Sequence, residues 1–162
     1  LAISGMTITD ERKENVLFSD PYYQSGLQIV VRSDDNSINS FADLKGKSLA
    51  VQIGTSSSNE AKKIENATVK ELNTPADCFI ELQNKGADAV INDRPSNEFM
   101  LAKGQIANVT ILPDLLTHEE YGIATTLDQT ELIQQINDAL KKVRDSGEYY
   151  RIYAKWFGEQ KD

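Results

Sequence analysis

Between residues 27 and 120 short apolar runs alternate with single amphipathic stretches, and this alternation leaves few folds open to the chain. LQIVVR, KSLAVQI, ATVKEL, ADAVIND, VTILP and YGIAT read as strands, rich in Val and Ile and bounded by polar turns. Helical segments stand between them. Ser40 and Asp43 have the spacing of a capping box ahead of FADLK, with Gly46 closing that helix, and Ser57 and Glu60 share the spacing in GTSSSNEAKKIEN. Thr74-Pro75-Ala76-Asp77 combines a cap, a proline at the first helical position and an acid at the third; Gly86 ends that helix, and Pro95 begins another over SNEFMLAKG. Strands separated by single helices predict an α/β lobe with a mostly parallel, doubly wound sheet. The C-terminal region differs. Leu132, Ile133, Ile136, Leu140 and Val143 form a helical stripe, and beyond Gly147 a second helix places Tyr149, Ile152, Tyr153, Trp156 and Phe157 close to one packing face. At the other end, Leu1-Ala2-Ile3 reads as the tail of a core strand.

Charge and composition exclude several function classes. With 25 acids against 17 bases, the net charge of −8 repels nucleic acid and anionic membrane surfaces. One cysteine, Cys78, rules out an intrachain disulfide and a cysteine-rich metal site, and one histidine, His118, rules out a paired-histidine zinc motif. Cys78 reads as a small buried hydrophobe. No apolar run approaches the ~18 residues of a membrane span, and the N-terminus lacks the order of a signal peptide.

Three places carry ligand chemistry, each beside a plainer reading. Ser4-Gly5-Met6-Thr7 offers hydroxyls and amide hydrogens around a residue without Cβ, and Arg12 adds a fork of donors, although Arg12 equally suits the solvated first turn of a helix begun by Thr9. At the end of the strand carrying Gln52, Gly54-Thr55-Ser56-Ser57 opens a helix, as an ordinary cap or as an anion site. It is not a Walker loop. Asn92 and Asp93 end another strand, where Asp93 can accept from an ammonium group or cap the helix that Pro95 begins. Ligands of open α/β sheets sit beyond the carboxyl ends of strands. Arg12, the Ser4 to Thr7 loop and Thr55-Ser56 suit a carboxylate, Asp93 suits an ammonium, and a free α-amino acid carries both.

SGMTITDERKENVLFSDPYYQSG, FADLKGKSLAVQIGTSS, GADAVINDRP, EEYGIA and DALKKVRDSGEYYRIYAKWFG, in that order along nearly the whole chain, resemble the polar amino-acid solute-binding proteins of ABC importers, a type II periplasmic-binding-protein fold, and among them the glutamine-binding branch. The resemblance implies two α/β lobes joined by two hinge strands and a non-enzymatic receptor without cofactor or metal. Its partners would be a free amino acid and the membrane subunits of an importer. It would work in the periplasm, or outside the cell on a membrane anchor, with the signal or anchor segment not in this chain. By that resemblance Ser4, Gly5 and Thr7 line the ligand's backbone, Arg12 clamps the α-carboxylate with Ser56 beside Thr55, and Asp93 takes the α-ammonium. Residues 22–26 and 120–123 correspond to the hinge, 27–119 to a complete second lobe, and 1–21 with 124–162 to a partial first lobe. Such a first lobe is expected to need an N-terminal complement or a domain exchange between chains, and this chain alone is expected to bind amino acids weakly or not at all. Where the glutamine-binding pattern has a lysine and a histidine, Gln52 and Asn92 stand here. Both are neutral amides, which favours a neutral polar ligand, glutamine ahead of asparagine. Two alternatives share the fold: an amino-acid-sensing domain of a receptor or kinase, and a dehydratase, for which His118 lies away from the strand ends.

Overall fold

The computed structural model of the chain describes residues 1–157. Gly158 of the C-terminal motif and the end of the 124–162 segment lie outside the described residues. In chain order the first elements are β1 (Ala2–Thr7), α1 (Asp10–Lys13), β2 (Leu17–Phe18), β3 (Tyr23–Ser25), β4 (Leu27–Arg32), β5 (Ser48–Gln52) and α2 (Ser56–Ala61). They continue with β6 (Thr68–Leu72), α3 (Pro75–Gln83), β7 (Ala89–Asp93), α4 (Arg94–Ala102), β8 (Val109–Leu115), β9 (Glu119–Thr125), α5 (Thr130–Asp145) and α6 (Glu148–Phe157). The chain divides into two compact units, one made of Leu1–Gln24 with the segment from Glu120 onward, the other of Ser25–Glu119.

The Ser25–Glu119 unit is a five-stranded sheet in the order β6-β5-β7-β4-β8. β5 runs parallel to β6 and β7, but β4 is antiparallel to both β7 and β8. The expectation of a mostly parallel sheet is corrected in its pairing: β4 runs against the other four strands. Between β4 and β5 the chain makes only a 3₁₀ turn, Phe41–Leu44, with the Ser40–Asp43 capping box formed.

Alternation along the strands sorts their side chains onto two faces. Leu27, Ile29, Val31, Leu49, Val51, Ala89 and Ile91 enter one core with Ile38, Leu44, Ala61 and Ile64. Val30, Ala50 and Val90 enter the other with Cys78, Phe79 and Leu82 of α3. Both faces are therefore covered. α3 starts as its sequence dictates, with the Thr74–Asp77 capping box formed and Pro75 in the first turn. Two terminal readings change. Thr55, not Ser57, caps α2 by accepting from the Ser58 amide, and Ser57 is buried. α3 stops at Gln83 and Lys85 takes the left-handed backbone (φ 62°) in place of Gly86.

In the other unit β9 is the central strand, antiparallel to β1 and β2 and paired with β3. Tyr121, Ile123 and Ala124 of β9 are buried with Tyr23. No residue of α5 or α6 is fully buried. The aromatic stripe of α6 splits: Tyr149, Tyr153 and Phe157, four residues apart and so on one helix face, turn to Tyr22 and Tyr23. Tyr149 Oη donates to the Tyr22 carbonyl at 2.8 Å, and the rings of Tyr153 and Phe157 lie 5.9 and 5.4 Å from that of Tyr23. Ile152 and Trp156 are exposed, as are Leu1 and Ile3 of the expected core strand.

Candidate functional site

Each unit gathers its own half of the sequence-predicted residues. In the first, Ser4, Gly5 and Thr7 lie on β1 and Arg12 in the one-turn helix α1. That helix begins at Thr9, whose hydroxyl accepts from the Arg12 amide at 3.2 Å. The turn returns the Arg12 side chain toward β1, where Nη1 donates to the Thr7 carbonyl at 2.9 Å. Gly5 holds a left-handed backbone (φ 69°), and its amide donates to Tyr22 Oη at 3.1 Å. A side chain at Gly5 would meet the Tyr121 ring at 3.4 Å. Gly5, Thr7 and Arg12 are thus brought together, with Ser4 exposed beside them. Arg12 is half-buried. Tyr22 and Tyr121 join this cluster without having been singled out, although the aromatic pair Tyr22-Tyr23 was a visible signal.

In the second unit Gln52 ends β5 and Asn92 and Asp93 end β7, at the carboxyl ends of neighbouring parallel strands. Gly54 turns the chain with φ 73° into α2. The Thr55 hydroxyl is committed as a cap: it donates to the Gln52 carbonyl at 2.7 Å and accepts from the Ser58 amide at 3.3 Å. The Ser56 hydroxyl donates to Oε2 of Glu119 at 3.0 Å, while Oε1 of the same carboxylate accepts from Thr117 at 3.1 Å. Glu119 is buried. Nothing in the sequence separates it from exposed Glu120. Asp93 occupies the N-cap position of α4 but makes no side-chain capping bond. The reason is local, since Pro95 removes one of the amides that a cap would serve.

Asn92 belongs to a cluster of buried amide side chains. Asn92 Nδ2 donates to Asn97 Oδ1 at 2.9 Å, and Asn97 Nδ2 donates to the Asn92 carbonyl at 3.2 Å. Gln28 of β4 stands directly across from Asn92 and is equally buried. Among the described residues, the buried side-chain atoms Gln28 Oε1, Arg94 Nε and Thr125 Oγ1 have no hydrogen-bond partner. Cys78 is buried and its thiol is pushed up to about 11, by burial first and by Asp77 second, so it is no nucleophile. Among the described residues no cluster of three or more His, Cys, Asp or Glu could hold a metal ion, and no helix is long and apolar enough to cross a membrane.

Comparison with known proteins identifies the family of the chain. Residues 1–159 match the family model of the bacterial extracellular solute-binding proteins, family 3. The chain is 38% identical to the ABC transporter glutamine-binding protein GlnH of Bacillus subtilis, covering 97% of this chain and 57% of the relative. It is 35% identical to the arginine-binding periplasmic protein of Mannheimia haemolytica, over 97% of this chain and 65% of that one. Among solved structures, a mutant of ArgBP from T. maritima superposes with a TM-score of 0.89 at 41% identity, covering 97% of this chain and 68% of that one. The chain spans about 57 to 65% of the length of the two curated relatives.

Proposed function

The chain belongs to the bacterial extracellular solute-binding proteins of family 3, and from that premise we propose that it binds a free polar L-amino acid outside the cytoplasm and delivers it to the membrane subunits of an ABC importer. In this reading Gly5, Thr7 and Ser4 meet the ligand's backbone and Arg12 clamps its α-carboxylate. Ser56 adds its amide hydrogen, its hydroxyl being given to Glu119, and Thr55 holds that turn in place. Asp93 takes the α-ammonium, and Gln52 and Asn92 read the side chain. Residues 22–26 and 120–123 act as the hinge strands about which the lobes close. The neutrality of Gln52 and Asn92 makes glutamine a candidate ligand, and relatives carry names for glutamine and for arginine binding.

The observation that carries the reading is the return of Arg12 onto β1. A guanidinium held against β1 by the Thr7 carbonyl at 2.9 Å, beside Gly5, presents a fixed planar charge of the kind that pairs with a carboxylate. No acid–base pair is needed for this role. A thermal-shift screen of the full-length protein against the twenty amino acids tests it, because a ligand at 100 times its dissociation constant adds roughly 2.7 kcal/mol of stability. A screen in which no amino acid raises the melting temperature overturns the proposal.

A further inference from the structure

Glu119 ends the second unit, is buried, and has no part in the ligand contacts proposed above. A carboxylate taken out of water must be met by hydrogens. Two hydroxyls supply them, Thr117 Oγ1 donating to Oε1 at 3.1 Å and Ser56 Oγ to Oε2 at 3.0 Å. The Leu27 amide in turn donates to Thr117 Oγ1 at 3.1 Å. Because a carboxylate only accepts, the hydroxyl hydrogens of both Thr117 and Ser56 point toward Glu119.

This chain of bonds joins three distant parts of the sequence. Leu27 opens β4 just after the chain first crosses between the units, Glu119 stands where it crosses back, and Ser56 begins α2. The end of β7 is tied to the same place, since the Arg94 amide donates to the Gly26 carbonyl at 2.9 Å. Thr55 fixes the shape of the turn before α2 from within, through the Gln52 carbonyl and the Ser58 amide. Ile53 and Gly54 of that turn are exposed and give it no apolar anchor. The bond from Ser56 to Glu119 secures it against the Thr117 segment instead.

We propose that Glu119 is a positioning residue of the amino-acid site, holding the Ser56 amide where the ligand's α-carboxylate meets it. The proposal rests on the reading above, that Ser56 gives its amide to that carboxylate. Two effects of Glu119 oppose each other. Its charge repels a second carboxylate nearby, whereas its bond to Ser56 removes motion that a ligand would otherwise have to freeze. Substitution separates them by sign, because losing the charge alone tightens binding and losing the position weakens it.

The test is calorimetric titration of the full-length protein with whichever of the twenty amino acids most raises its melting temperature. Ser56→Ala keeps the amide and removes the bond to Glu119. Glu119→Gln keeps the shape but can no longer accept through both ends. Each is expected to weaken binding by about fivefold or more, and Glu119→Gln placed in Ser56→Ala by less than about twofold further, since Glu119 reaches the ligand only through that hydroxyl. A purely structural role would lower the urea midpoint and either spare the affinity or weaken it equally with and without the hydroxyl. A smaller loss in either single variant, tighter binding, or a larger further loss in the double variant overturns the proposal and leaves the amino-acid receptor standing. Should Glu119→Gln fail to fold, the affinity of Ser56→Ala decides by the same threshold. Absence of binding of all twenty amino acids to the unsubstituted protein overturns both.

Discussion

At the residue scale, a ligand's α-groups are charged and must be met by fixed opposite charges once water is excluded. Arg12→Ala in the full-length protein should therefore weaken amino-acid binding by roughly 3–5 kcal/mol, the cost of leaving a desolvated charge without its partner. Calorimetry reads this directly, and a loss below about tenfold would return Arg12 to the status of a helix residue. Asp93→Ala is expected to lose at least tenfold in affinity. If the carboxylate were instead a helix cap, its removal would cost about 1 kcal/mol of stability and spare the affinity; comparing urea midpoints with binding constants separates the two. At the start of α4 the Asp93 side chain makes no capping bond. Arg12 and Asp93 stood out as candidates in the sequence because their chemistry is rare there: an arginine beside a glycine turn and an aspartate at a strand end, and the structure shows their placement on α1 and at the end of β7. Tyr22 and Glu119 were not, because each acts across the chain, on Gly5 seventeen residues away and on Ser56 sixty-three residues away.

At the scale of elements, local signals transmitted well and directional ones did not. The capping boxes at Ser40–Asp43 and Thr74–Asp77 form as spaced, since both partners lie within one turn. The reversal of β4 left no trace in its pattern, because alternation reports which face a side chain takes and not which way the strand runs. Gln28 did leave one, a polar residue inside LQIVVR, and only the register with Asn92 gives it meaning. Close approach of two connecting segments also explains Gly26. A Cβ there would lie 2.2 Å from the Thr117 carbonyl oxygen, in the stretch where the Leu27 amide donates to the Thr117 hydroxyl and the Gly26 carbonyl accepts from the Arg94 amide. Backbone cannot swing aside as a flexible side chain does. Gly26→Ala should cost about 3 kcal/mol, at the upper end of overpacking, seen as a lower urea midpoint at unchanged slope. An unchanged midpoint would show that the Thr117 segment gives way freely.

At the scale of the whole molecule, the two units differ in how their chain is used. The Ser25–Glu119 unit is one continuous segment with two apolar cores, one on each face of its sheet. Its ends are tied together, since the Leu116 amide donates to the Leu27 carbonyl at 2.7 Å and Leu27 in turn donates to Thr117. The other unit is assembled from two segments, its long helices bury no residue fully, and Leu1, Ile3 and Trp156 stand exposed. Stability should follow these differences, because apolar area removed from water contributes roughly 25 cal/mol per Å² and a continuous segment closes its sheet without a distant partner. A polypeptide of residues 25–119 is therefore expected to fold alone and to unfold in one cooperative urea transition, with a slope of about 1 kcal/mol per molar. It would carry Gln52, Ser56, Asn92 and Asp93 but neither Arg12 nor Gly5, so the proposed carboxylate clamp would be missing. Circular dichroism and titration with amino acids on the same sample decide the matter. A cooperative transition with no measurable amino-acid binding is the expected result. A broad, non-cooperative loss of signal would show that the two cores do not suffice, and tight binding by the folded fragment would show that the carboxylate is recognised without Arg12.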